Sequence, residues 1–346
     1  MAYSTIDKST LYANTTLYTG NGSTQSITGV GFQPDFIWIK ARNDTRNHQL
    51  QDSVRNDFAD ILNSDSDGAQ GTFTDGVTAV GSDGFSVGAR AALNTTSDTL
   101  VAWNWKAGTT SGITTNGSTN ITPLGYSFNA TAGQSIIYYN GNQTAGDKVP
   151  HGLGVKPDLI IVKDVVDANS WNVYHVSNGA TKYMLLDSSE SVNTNTNRWN
   201  DTEPDSVNFT LGASAAVNGN DNNYVAYCFA SKRGYSRAGH YTGDSSSSGQ
   251  FIYTGFKPTF ILLKNSPSSA DWQLIDNKRL GYNVDNNRIK ANSTQAEATT
   301  DYLDLLSNGF KIRSGSGDYN ASGDMYIYMA FGQSIVGTNN IPATAR

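Results

Sequence analysis

Few residues of this chain are of a type that does acid–base or metal chemistry, and their spacing limits what they can do. There are four histidines, His48, His151, His175 and His240, and one cysteine, Cys228. No two histidines stand four apart, the spacing by which one helix face binds zinc. Neither a G-x-S-x-G elbow nor a phosphate-binding G-x-x-x-x-G-K-[ST] loop occurs. Asp52, His175 and Asp276 each follow a proline (Pro34, Pro157, Pro258) by eighteen residues. They are polar each time but differ in chemistry. Glycoside hydrolysis needs two carboxyl groups across one cleft, and Asp52 and Asp276 lie far apart in the chain. The simpler reading is a residue capping the turn at a strand end. Trp171 and Trp272 follow their prolines by fourteen residues, where the first copy has His48. An exposed tryptophan there would be a platform for a sugar ring; the competing reading is a core side chain. Asp65 and Asp67, with Gly68 in "NSDSDGAQG", have the character of a calcium loop, but the closing bidentate acid and flanking helices of an EF-hand are missing. His151 in "VPHGLG" reads as a turn residue, and Cys228, in an apolar stretch, as a packing residue. These residues imply no enzyme and no cofactor.

The elements that position these residues recur. "GFQPDFIWIK" (31–40), "GVKPDLIIVK" (154–163) and "GFKPTFILLK" (255–264) are one ten-residue pattern written three times. Further landmarks keep step after each proline: Phe85, Phe209 and Phe310; Asn94, Asn218 and Asn320; closing strands ending near Trp105, Phe229 and Phe331. "YTGN", "YNGN" and "YTGD" open the three copies at Tyr18, Tyr139 and Tyr241. The expected organisation is an arm (1–17), repeats at 18–106, 139–230 and 241–332 joined by an extension (107–138) and a short linker (231–240), and a tail (333–346). At roughly 90 residues each, the repeats suit β-sandwiches of jelly-roll or lectin-like type. In the decapeptide strands Phe36 and Trp38, Leu159 and Ile161, and Phe260 and Leu262 point one way, while Ile37 and Ile39 and their counterparts point the other. Both faces are apolar, so each strand asks for cover from its own sandwich and from a neighbouring copy or subunit. The six named residues are the interface or core candidates. The lysine ending each strand is expected to keep its head in water.

Composition agrees. Charged residues are 16%, glycines number 34, and Ser, Thr and Asn are abundant, as in short strands with polar turns; an all-β chain is expected. The net charge of −6 carries no basic stripe, which argues against nucleic acid. No apolar run is long enough for a membrane helix, the N-terminus lacks the pattern of a signal peptide, and a single cysteine forms no intrachain disulfide.

The series "YTGNGSTQSITGVGFQPDFIWIKAR", "SDGFSVG", "VAWNWKAG", "HGLGVKPDLIIVK", "YVAYCFA", "GFKPTFILLK", "YIYMAFG" and the final "PATAR" resembles, over nearly the whole chain, a family of repeat proteins of tailed bacteriophages, notably marine and cyanobacterial ones, labelled tail-fibre-like or lectin-like. The segment 107–135 departs from the family's copy spacing. The resemblance implies a virion protein assembled in the host cytoplasm and supplies no catalytic residues. The expected role is structural and exterior, as a head decoration or a tail fibre. Its partners would be other virion proteins, further copies of the chain, a trimer among them, and host-surface glycans. A carbohydrate-binding module or a glycan depolymerase on a β scaffold is the alternative.

Overall fold

The structure is a computed structural model describing residues 4–279, 283, 287–299 and 301–336; the C-terminal tail beyond 336, with the "PATAR" motif, lies outside the described residues. The chain is all-β, with antiparallel sheets and, among the described residues, only single-turn helices.

Three large sheets share one strand order. In the first, the outer strand Ala13–Thr19 pairs with the closing strand Thr99–Trp105. That strand pairs with the lead strand Phe36–Ala41, which pairs with the turn-back strand Gln49–Asp52. The second sheet repeats this order with Gln134–Asn140, Asn223–Phe229, Leu159–Asp164 and Asn172–His175. The third repeats it with Ser236–Thr242, Met325–Ser334, Phe256–Asn265 and Gln273–Asp276. A smaller sheet faces each large one: Gln25–Thr28 with Gly84–Val87, Lys148–Pro150 with Asn208–Thr210, and Phe251–Tyr253 with Gly309–Ile312. Each large and small pair forms a sandwich-like unit. The outer strands start five residues before Tyr18, Tyr139 and Tyr241, so residues 13–17, 134–138 and 236–240 belong to the sheets rather than to an arm or linkers.

Sequence dictates these strands locally. Pro34 and Pro157 stand just before their lead strands, where a missing N–H costs no ladder bond. Pro258 lies within the longer third lead strand, and there the register shifts between Pro258 and Phe260.

The lead and closing strands are buried on both faces. Ile37, Ile39 and Ala102 join a core inside the first sandwich; Ile160, Val162 and Ala226 occupy the corresponding core of the second, and Ile261, Leu263 and Ala330 that of the third. The opposite faces of all three units meet in one further cluster, to which Phe36, Trp38, Leu159, Ile161, Phe260 and Leu262 all belong. The small residues of the closing strands, Ala102, Ala226 and Ala330, therefore point into each unit's own interior.

At the centre the last aromatic of each closing strand touches the other two. Ring centroids are 6.2 Å apart for Trp105–Phe229, 5.6 Å for Phe229–Phe331 and 5.9 Å for Trp105–Phe331. The chain start closes this ring. Ile6 joins the central cluster, and Gln333 accepts from the Ser9 amide and donates to the Asp7 carbonyl, tying the N-terminal segment to the third closing strand.

Candidate functional site

The polar residues singled out by spacing lie at the boundaries between units. Asp52, at the end of a turn-back strand, caps the following turn: its Oδ1 accepts from the amides of Val54 and Arg55. Asp276 does the same for Lys278 and Arg279, and His175 Nδ1 accepts from the Ser177 amide. Turn capping is thus one half of what they do. The other half crosses to the next unit's closing strand. Tyr227 donates its hydroxyl to Asp52 Oδ2 at 2.7 Å, Trp103 its indole N–H to Asp276 Oδ2 at 2.9 Å, and His175 Nε2 lies 3.1 Å from the Tyr328 carbonyl. The first unit reaches the second, the second the third, and the third the first.

The position fourteen after each proline runs round the ring in the opposite sense. Trp171 donates to the carbonyls of Asn63 and Ser66 in the first unit, Trp272 to that of Leu185 in the second, and His48 Nε2 lies 3.0 Å from that of Lys290 in the third. Trp171 and Trp272 are 0% and 1% exposed. This corrects the expectation of sugar platforms: the rings fill the interface between units, where the aromatic surface is dry and the N–H finds a carbonyl.

The two acids are neutralised in place. Arg55 Nε lies 2.8 Å from Asp52 Oδ2, and Arg279 Nε 2.7 Å from Asp276 Oδ2, all four side chains being essentially unexposed. Arg279 also meets Glu297, which binds Arg42 of the first unit at 2.9 Å. Such pairs hold geometry; they leave no free carboxylate to act as a base.

Burial also sets the titration of the basic groups. Lys40, Lys163 and Lys264 are unexposed, which overturns the expectation that their heads reach water. Each ammonium donates to the carbonyl of the next residue, the last of the strand, and to one in the loop that follows: Ala41 and Asp44, Asp164 and Asp167, Asn265 and Ser268. Loss of hydration pulls all three down to about 8. Desolvation likewise lowers His48 to about 3 and His151 and His175 to about 4. In each ring Nδ1 has a donor facing it, the Trp38 indole or the amides of Leu153 and Ser177, and Nε2 faces a carbonyl. That arrangement selects one neutral tautomer. Burial pushes the Cys228 thiol well above its ordinary value, which leaves it unreactive.

Asp65 Oδ1 accepts from the His48 amide, and Asp67 is exposed on the same loop. Among the described residues no three acidic, histidine or cysteine side chains converge on a point that would hold a metal. The loop's carbonyls are instead turned to Trp171. In the sequence Asn94, Asn218 and Asn320 stand out only as landmarks that keep step with the prolines. All three are buried, and each clasps the loop that opens its unit: Oδ1 accepts from the amides of Asn21, Asn142 and Asp244 respectively. Their recurrence in the sequence was the available signal.

Residues 8–334 match the family model described as "Domain of unknown function (DUF7483)". No curated protein matches the chain.

Proposed function

We propose that this chain, which belongs to the DUF7483 family, is a non-catalytic structural protein of a virion exterior, a head decoration or a tail component, built from three copies of one β module and acting through protein contacts. The single observation that carries this reading is the fate of its chemically able residues. The acids, imidazoles and indoles that recur in the sequence are spent on fastening one unit to the next. A chain whose three sheets of one strand order close into a ring around a shared cluster suits a location of threefold symmetry, where it would stand in for a trimer. The phage setting is supported by the sequence resemblance, and the all-β build with polar turns accords with it.

Purified particles of a virus encoding the chain test this. The expected result is stoichiometric recovery of the protein with the particles and density for three sandwiches on the outer surface. Absence from particles, or turnover of a polysaccharide by the isolated protein, would contradict the proposal.

A further inference from the structure

The extension between the first two units builds a feature of its own. After Trp105 the chain leaves the first sheet and returns as Gly125–Asn129, an added edge strand on the second sheet. Thr109 and Phe128 exchange backbone hydrogen bonds of 3.0 Å, which close the extension on itself beside the start of the first lead strand, where Asp35 accepts from Ser127 and Ala107. Between them lies an open cleft of about 630 Å³, lined by Gln33, Asp35, Ser53, Lys106, Thr110 and Tyr126.

Asp35 anchors the cleft. It is 8% exposed, and its carboxylate draws three segments together. Oδ1 accepts from the hydroxyls of Ser53 at 3.0 Å and Ser127 at 2.9 Å, and Oδ2 from the Ala107 amide at 2.9 Å. Gly108 donates to the Ser127 hydroxyl, and its φ of +101° is a conformation that a side chain rarely adopts. At the equivalent position in the other units, Asp158 accepts from the Ser231 amide and Thr259 donates to the Phe331 carbonyl, and among the described residues no added strand lies opposite. The cleft therefore belongs to the extension, not to the module.

We infer that this cleft binds a neutral saccharide of about disaccharide size. Its volume falls in the range of small-molecule sites, about 300–1,000 Å³, which favour boundaries between units. The lining combines hydroxyls, an amide and one aromatic ring, a match for a ligand with hydroxyl edges and CH faces. The charged lining residues, Asp35 and Lys106, are of opposite sign. A ligand of net charge finds no matching excess, whereas sugar hydroxyls can accept from Lys106 and both donate to and accept from the exposed Thr110 hydroxyl and Gln33 amide. The inference does not depend on a virion location.

Saturation-transfer NMR on the full chain with millimolar cellobiose, maltose, lactose and N,N′-diacetylchitobiose tests it. At least one probe should show transfer. Tyr126→Ala, which removes a wall, and Thr110→Trp, which fills the cleft, should each cut that signal at least threefold. Phe251→Ala, at an exposed aromatic of the third unit, should leave it unchanged. Melting curves establish that the variants are folded. No transfer from any probe, a signal undiminished in both cleft variants, or loss in Phe251→Ala instead, would overturn the site. Hydrolysis of a probe would contradict the non-catalytic reading while leaving the site standing.

Discussion

A buried ionisable group reveals its purpose by its partners. Arg55 has Asp52 on one side and the Tyr227 hydroxyl at 3.2 Å on the other, so removing the acid strands a cation where water cannot reach it. Asp52→Ala should destabilise the protein by about 3–5 kcal/mol in urea unfolding, whereas the double change Asp52→Leu with Arg55→Met should cost much less. Equal losses in the two variants would show that the pair is not the fastening described. The imidazoles make a pH prediction. His48, His151 and His175 hold folded values of about 3, 4 and 4 against an ordinary 6.5. Their contribution is fully present above 6.5 and is lost as pH falls towards those folded values, because the unfolded chain takes up the protons first. At pH 5 this amounts to about 2 kcal/mol per ring. Asp35, Asp65 and Asp187, raised chiefly by burial, act in the opposite direction. Urea midpoints should fall between pH 7 and 5, and His175→Asn should flatten that slope. An unchanged slope in the variant would contradict the assignment.

The lead strand is the element on which the architecture turns, and its two apolar faces are visible in the sequence. Both Phe36→Ala and Ile37→Ala should cost about 2–5 kcal/mol, since one vacates the shared cluster and the other the unit's own core. A strand with one wet face would tolerate one of them, and thermal unfolding of the two variants distinguishes the cases. The surroundings of the strand's penultimate residue, Lys40, were not legible. A lysine at a strand end usually sends its head to solvent, and only the loop that folds back over Lys40 supplies carbonyls in place of water. Trp171 was ambiguous for a related reason. Alternation places a ring on a face but does not say whether another unit covers that face. The cross-unit bonds were hidden altogether. Asp52 and Tyr227 are 175 residues apart, and the strand-end residue is an accepting carboxylate at two seams and an imidazole facing a backbone carbonyl at the third, so no common residue type marks the contact.

At the scale of the molecule the three units close into a ring with three chemically different seams. One is held by Asp52–Arg55–Tyr227, one by Asp276–Arg279–Trp103 with Glu297 and Arg42, and one by His175 against backbone. Unlike seams disfavour exchange of one unit for another, a hazard of chains with similar parts. Each unit taken alone would bare the side of its sheet that carries, in the first, Phe36, Trp38, Trp103 and Trp105. A sandwich with one such face uncovered should be unstable or aggregate. Differential scanning calorimetry of the full chain, beside an excised fragment of residues 8–107, tests the central claim that the three sandwiches share one core. The account predicts a single transition whose calorimetric and van't Hoff enthalpies agree, and a fragment without a cooperative melt. Three separable transitions, together with a fragment that melts like one of them, would contradict it.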